Sequence, residues 1–369
     1  MEVDRDQVLA FRVAASGLAE RGTARPGDLP VLDLGIQEYT PGSVQVALAA
    51  RTDADLVDDR LITVWAARGA PHLHRKRDLK QLVTALWPVS DADASARIKS
   101  AQIAQGVPLG RKAFEATASA FREVVKSTMP RGEVSTAVSS LVPRELTYDC
   151  RTCGARHIAG NVWQHSGLAG GVQVVSRGKD ATLAPIPSAP PQPTENQGIE
   201  ELITTYLRLL GPAGPAEVAK YLGSSATEIK KVWPTSGLDE VSVAGRKAWL
   251  PTSAGADLAA AGKVTGVRWL PAMDPLLQAR DRDVLVPNRA HQKEVWRALG
   301  NPGVILVDGE IAGVWRAKLA GGKRVDLAVT PFGKLAPKAR KALEEEAAVV
   351  ARARAVPDAA VTFDQPAAG

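Results

Sequence analysis

Residues 33–44 read DLGIQEYTPGSV, and three adjacent side chains there could do chemistry: the amide of Gln37, the carboxylate of Glu38 and the phenol of Tyr39. An amide carbonyl can orient a water and set partial negative charge beside a developing cation, but it cannot take a proton at neutral pH. A phenol, ordinarily titrating near ~10, is a poor base at pH 7 and a usable hydrogen-bond partner. On a strand Glu38 would point away from Gln37, whereas a bulged turn would bring it back. Two readings are open: a polar loop at the edge of a core element, or a reacting centre that uses an amide where most enzymes use an acid.

A second group lies at CRTCGARH. Cys150 and Cys153 form a Cys-x2-Cys pair, His157 follows four residues on, and His165 comes eight later. Together they make a weak candidate zinc site of four ligands. The spacing is shorter than that of common zinc modules and there is no second cysteine pair, so reduced structural thiols are the favoured reading. No thioredoxin-like pattern surrounds the pair, which argues against a redox role.

The elements that must position these residues are mostly legible. Residues 4–21 have the period of an amphipathic helix, with Val8, Phe11, Ala15 and Leu18 on one face, Asp4 and Gln7 placed to cap its start, and Gly22 to end it. A second helix can follow over 44–53. Residues 60–74 read as a strand pair turning at Gly69, and 77–88 as a helix stopped by Pro88. From 91 to 128 the pattern is helical, broken near GVPLG, and 132–143 looks like a helix-turn-helix element. The proline-rich PIPSAPPQPTENQ is a stiff connector and a domain boundary.

Residues 199–211, 214–223 and 224–233 then read as three helices, the third opened by the Ser225–Glu228 capping pair. They are followed by a hairpin turning at Ala244-Gly245, which is the order of a winged helix. Lys230 and Lys231 would face outward on the third helix, with Arg246 and Lys247 on the wing. These four side chains could grip DNA phosphate or simply form a solvated face. The last third holds three strands with turns at Asp308-Gly309 and Gly321-Gly322, a closing helix, and a tail expected to be loose after Pro357.

The chain has 369 residues, 45% hydrophobic and 23% charged, with a net charge of +6 and pI ≈ 9.3. That length fits two to four domains, and the positive excess favours a polyanionic partner. No apolar run is long enough to span a membrane, and the acidic start lacks the form of a signal peptide. With only two cysteines a disulfide framework is excluded and a cytoplasmic location is expected.

Four phrases, VWAARGAPHLHRKRD (64–78), YLRLLGPAGPAEVAKYLG (206–223), WLPAMDPLLQARDRDVLVP (269–287) and ILVDGEIAGVWR (305–316), occur in order and in register. In them the chain resembles, over nearly its whole length, the winged-helix DNA-binding proteins that include the AlkZ-like and YcaQ-like DNA glycosylases. The resemblance implies an α+β fold of tandem winged helices and a small C-terminal β-barrel around a concave basic channel. The implied organisation is a first winged helix with the candidate catalytic loop at 1–80 and a second at 81–186. A connector at 187–197 and a third winged helix at 198–255 follow, then the barrel-like domain with its closing helix at 256–356 and a flexible tail at 357–369.

The resemblance further implies excision of bulky N-alkylated purines from double-stranded DNA by a monomeric enzyme that needs no cofactor. The family's catalytic signature is two polar residues flanking an apolar one, Gln-x-Gln or Gln-x-Asp. Gln37 matches the first position; Glu38 stands where an apolar residue belongs, and Tyr39 replaces the second Gln or Asp. That departure favours a rival, a DNA-binding regulator without catalysis. By the same resemblance Arg68 becomes a phosphate candidate, and His72 either a DNA contact or, preferably, a hydrogen-bonded histidine at a strand end. Arg316 is expected to pair with Asp274 or another carboxylate.

Overall fold

Short-range signals set most of the elements. In the computed structural model, which describes residues 1–152, 154–178 and 180–365, Asp4 accepts the Gln7 N–H at 2.8 Å and opens the helix Arg5–Ala15. That helix buries Val8, Leu9, Phe11 and Val13. It stops at Ala15, well short of Gly22, because Gly17 takes the left-handed φ of 74° that glycine adopts at little cost. Ser225 likewise accepts the Glu228 N–H and opens the helix Ala226–Lys231.

The chain divides into two compact units, neither continuous in sequence. The first comprises Met1–Asp59, Thr204–Gly214 and Thr235–Gly369. Its larger sheet has five strands in the order Val267–Leu270, Gly303–Val307, Glu310–Ala320, Arg324–Pro331 and Asp358–Phe363. The first three pairings are antiparallel; the two-residue turn Asp308-Gly309 carries the positive φ such hairpins demand, and Gly321 and Gly322 also have positive φ in a three-residue loop closed by Lys323. The last pairing is parallel and is reached through the helix Pro337–Ala353.

Two expectations change here. The expected loose tail begins with an ordered strand: Asp358–Phe363 pairs along the whole of Arg324–Val329, and 366–369 lie outside the described residues. A strand ending at Pro331 and followed by a long helix leaves an edge that a returning segment can satisfy, and Ala359, Val361 and Phe363 pack against the core behind it. The sheet is also open rather than a closed barrel, a half-barrel whose outer strands are Val267–Leu270 and Asp358–Phe363. The closing helix fills its concavity with Leu343, Ala347 and Val350 against Trp269, Trp315 and Leu327. Trp269 and Trp315 meet edge to face at 5.5 Å, and their indole N–H groups donate to the carbonyls of Leu343 and Leu270. Side chains of this size, fully buried, stabilise by roughly 1.5–3 kcal/mol each.

A smaller sheet in the same unit is the hairpin Leu238–Val243 and Arg246–Pro251, joined in parallel by the first residues Glu2–Val3. Its turn, Ala244-Gly245, has φ of 47° and 76°.

The second unit comprises Arg60–Ile203 and Pro215–Pro234. Its strands Pro71–Arg75, Leu61–Trp65, Val172–Ser176, Thr182–Pro185 and Met129–Pro130 follow one another in that order. The expected pair around Gly69 is present, with Val64 opposite His72 and Ile62 opposite His74. Helices Asp91–Ile98, Arg111–Val124, Arg131–Leu141 and Gly160–Ser166 close over a core of Trp65, Trp87, Phe114, Phe121 and Trp163. The proline-rich stretch 187–197 runs within this unit, where the Asn196 amide donates to the carbonyls of Ala85 and Trp87. The helices Ile199–Leu210, Pro215–Leu222 and Ala226–Lys231 precede the hairpin in the expected order. No helix is long and apolar enough to cross a membrane among the described residues.

Candidate active site

Gln37 ends the two-residue strand Ile36–Gln37 in the first unit and is 9% exposed. The turn before it is made by Gly35 at φ 77°. The loop that follows is tied to itself: Glu38 accepts the Gly42 N–H at 2.9 Å, and the Ser43 hydroxyl accepts from the N–H groups of Tyr39 and Thr40. Gly42 is needed at φ 82°, where a side chain would also meet the Arg354 guanidinium beneath the loop. Arg354 donates to the Pro41 carbonyl from the end of the closing helix. Burial lowers its pKa, and the charge of Glu38 opposes that shift.

The three chemical groups are thereby separated. The Glu38 carboxylate is turned back into its own loop. The Tyr39 hydroxyl accepts the Asn301 N–H at 3.1 Å, which leaves its own hydrogen to point elsewhere. The Gln37 carbonyl accepts from Gln278 Nε2 at 3.3 Å.

Gln278 ends the short turn Pro275–Gln278 and is almost fully buried. Its Nε2 also donates to the Met273 carbonyl at 3.0 Å, and its Oε1 accepts from Arg280 at 3.0 Å. The Arg280 N–H in turn donates to the hydroxyl of buried Tyr206 at 3.3 Å. Burial pushes the Tyr206 phenol above its ordinary range, and the neighbouring Asp281 carboxylate adds to the shift. Asp281 is held in a two-bond pair by buried Arg12, at 2.8 and 2.7 Å, and Arg12 also donates to the carbonyls of Gly211 and Pro212.

Asp274 anchors the same turn. It accepts the Leu276 N–H and forms two 2.9 Å bonds with Arg51, both side chains being buried. Arg316, expected to pair with Asp274, instead donates to the Gly300 carbonyl at 3.0 Å on the exposed side of its strand. Asp274 faces inward and is already saturated by the fork of Arg51. Gln278, Arg280 and Tyr206 were not singled out from the sequence. A usable signal was there: Gln278 interrupts the apolar run LPAMDPLLQA, the mark of a polar residue destined for burial.

The other sequence candidates are dispersed. In the second unit, Arg68 adopts φ 59°, donates to the Tyr221 carbonyl and lies 5.3 Å over the Tyr221 ring. His72 Nδ1 lies 2.8 Å from the Ala70 carbonyl at the strand end, while Nε2 is buried without a partner among the described residues. Lys230 is exposed, and Lys231 bonds Glu228 at 2.6 Å, the latter also accepting from Ser90. Arg246 is exposed in the first unit; Lys247 pairs with Glu240 and lies over Trp249.

Cys150 and His157 sit on the paired strands Thr147–Cys150 and Ala155–Ile158 and border one cavity of about 580 Å³. His165 lies elsewhere in that unit, half-buried beside Phe114, where desolvation and Arg97 lower its pKa to about 3. Cys153 lies outside the described residues, and among those described no group of three or more His, Cys, Asp or Glu is placed to hold a metal.

With this geometry in hand, comparison with known proteins gives one family. A model of DNA glycosylases of the AlkZ-like type matches residues 31–353. An interstrand DNA cross-link repair glycosylase from Streptomyces sahachiroi is 35% identical over 174 residues, 44% of this chain and 45% of that protein. The aligned stretch thus spans under half of that relative. The solved structure of the Streptomyces sahachiroi DNA glycosylase AlkZ shares the fold, with a TM-score of 0.77 at 24% identity over 99% of this chain and 100% of that one. By the extent of the family match, the chain belongs to the AlkZ-like DNA glycosylase family.

Proposed function

We propose that this protein is a monofunctional DNA glycosylase that hydrolyses the N-glycosidic bond of bulky N-alkylated purines in duplex DNA, in repair or in self-resistance to alkylating natural products. One observation carries the reading: position 37 retains the glutamine and holds its amide oxygen in a buried polar cluster, while the adjacent carboxylate of Glu38 is turned away. An N7-alkylated purine is already cationic and leaves without a general acid. The C1′–N9 bond breaks with its electrons going to the purine. Water then adds at C1′ and its proton passes to solvent. Gln37 Oε1 accepts a hydrogen from that water and sets partial negative charge near the oxocarbenium-like sugar. Tyr39, whose hydroxyl accepts from Asn301, has its hydrogen available for the water or the lesion. No cofactor enters this scheme.

The winged-helix reading of the helical segments, the basic channel and the phosphate roles of Arg68, His72, Lys230, Lys231, Arg246 and Lys247 belong to the same proposal, as does action as a cytoplasmic monomer. The relative's printed name, cross-link repair glycosylase, supports a bulky lesion as substrate. Tyr39 in place of the second Gln or Asp favours a second reading, a DNA-binding regulator without catalysis. Incubation with a duplex carrying N7-methylguanine, followed by alkaline cleavage at abasic sites, separates the two. Strand scission confined to the lesion supports the enzyme. Salt-sensitive binding without base release supports the regulator.

A further inference from the structure

The Gln37 amide is held by a chain of donors that starts at a group able only to donate. Arg280 Nη2 donates to Gln278 Oε1. A guanidinium has no acceptor, so the carbonyl end of Gln278 must face it and the NH2 end must face the other way. Both hydrogens of that NH2 are then used, one on the Met273 carbonyl and one on Gln37 Oε1. The polarity of Gln37 follows: its carbonyl is turned toward Gln278 and its own NH2 away.

The framework behind this chain is rigid. Met273 sits at φ 60°, a region non-glycine residues seldom adopt, so its carbonyl is aimed where an ordinary turn would not aim it. Asp274, beside it, is locked by Arg51. Gln278 itself is 3% exposed, so it acts through Gln37 rather than on substrate.

We propose that Gln278 is a positioning residue of the glycosylase site, reaching the Gln37 amide from 241 residues away. It fixes which end of the Gln37 amide faces the reacting water. The inference rests on the glycosylase reading above.

The test is single-turnover release of N7-methylguanine from a duplex oligonucleotide, run beside duplex affinity and thermal unfolding. The variants are Gln37→Ala, Gln278→Met, Gln278→Glu and the double variant Gln37→Ala/Gln278→Met. Gln278→Met keeps the side-chain volume and removes the donor. It should slow release about tenfold with duplex affinity unchanged. Gln278→Glu, ionised, can still accept from Arg280 but cannot donate to Gln37, and should slow release by as much. In the Gln37→Ala background, Gln278→Met should add nothing. Gln278→Glu at the wild-type rate, or a slowing by Gln278→Met that persists without Gln37, would overturn the inference and leave the glycosylase reading standing. An inactive wild type would remove both.

Discussion

The protein buries polar side chains in two ways. Around Gln37 every step of the chain from Arg280 to Gln278 to Gln37 joins a donor to an acceptor, and the flanking charges, Arg51 with Asp274 and Arg12 with Asp281, are in two-bond pairs. On the strand Pro71–Arg75, His72 and His74 are also buried, yet the Nε2 atom of each lacks a partner among the described residues. A chain of matched donors and acceptors fixes orientation; a buried ring nitrogen without a partner costs stability and responds to protons. On the proposed glycosylase reading the first region is where geometry is held for chemistry, and the second is where acid should act on the fold.

The largest effect expected from breaking the contrast is in the paired charges around Gln37. Asp274→Ala leaves the Arg51 guanidinium buried without its carboxylate and frees the turn that carries Gln278. The stability measured by denaturant unfolding should fall by about 3–5 kcal/mol. A loss below about 1 kcal/mol, typical of an exposed pair, would show that the network is not rigid.

In the unsatisfied region the variable is pH. Burial first, then the charge of Arg75, lowers the His74 pKa to about 4, and burial lowers that of His72 well below its usual value. The unfolded chain takes up protons on these histidines near the ordinary value of about 6.5. Their neutral burial thus contributes fully above that pH and is lost as pH falls toward about 4. His74 should account for about 1.4 kcal/mol per pH unit in this window, with His72 acting in the same direction. His74→Leu should flatten the slope by that amount while raising stability at neutral pH, since it removes both the titration and the unpartnered nitrogen. An unchanged slope would mean that His74 opens to solvent before the chain unfolds.

The smallest effects belong to the exposed cations. Lys230→Ala and Arg246→Ala should each weaken duplex binding uniformly across sequences and reduce the slope of log affinity against log salt by about 1. Lys231 and Lys247, each already paired with a carboxylate, should contribute less.

How much of this was legible from the sequence depends on range. Signals spanning a few residues read through directly: Asp4 with Gln7, Ser225 with Glu228, and the turns at 244–245, 308–309 and 321–322. Each is satisfied by its immediate neighbours, so no tertiary knowledge is required. Gln37 enters as a candidate through the resemblance, and it lies on a short buried strand. Its partners were not. Gln278 reaches Gln37 only because Asp274 and Met273 bend the chain, and nothing in local periodicity encodes that meeting. The final strand Asp358–Phe363 was missed for the same reason, since its pairing depends on the edge left by Arg324–Pro331. Arg316 and Asp274 have complementary charge, but charge does not reveal that Arg316 lies on the exposed side of its strand while Asp274 is buried at the start of a turn.

The most direct test of the account is single-turnover excision of N7-methylguanine from duplex DNA by the wild type and by Gln37→Ala. Loss of an interaction made to charge developing in the transition state should slow the variant about 10²-fold or more, with duplex affinity intact. Equal rates in the two proteins would contradict the account and remove Gln37 from the chemistry.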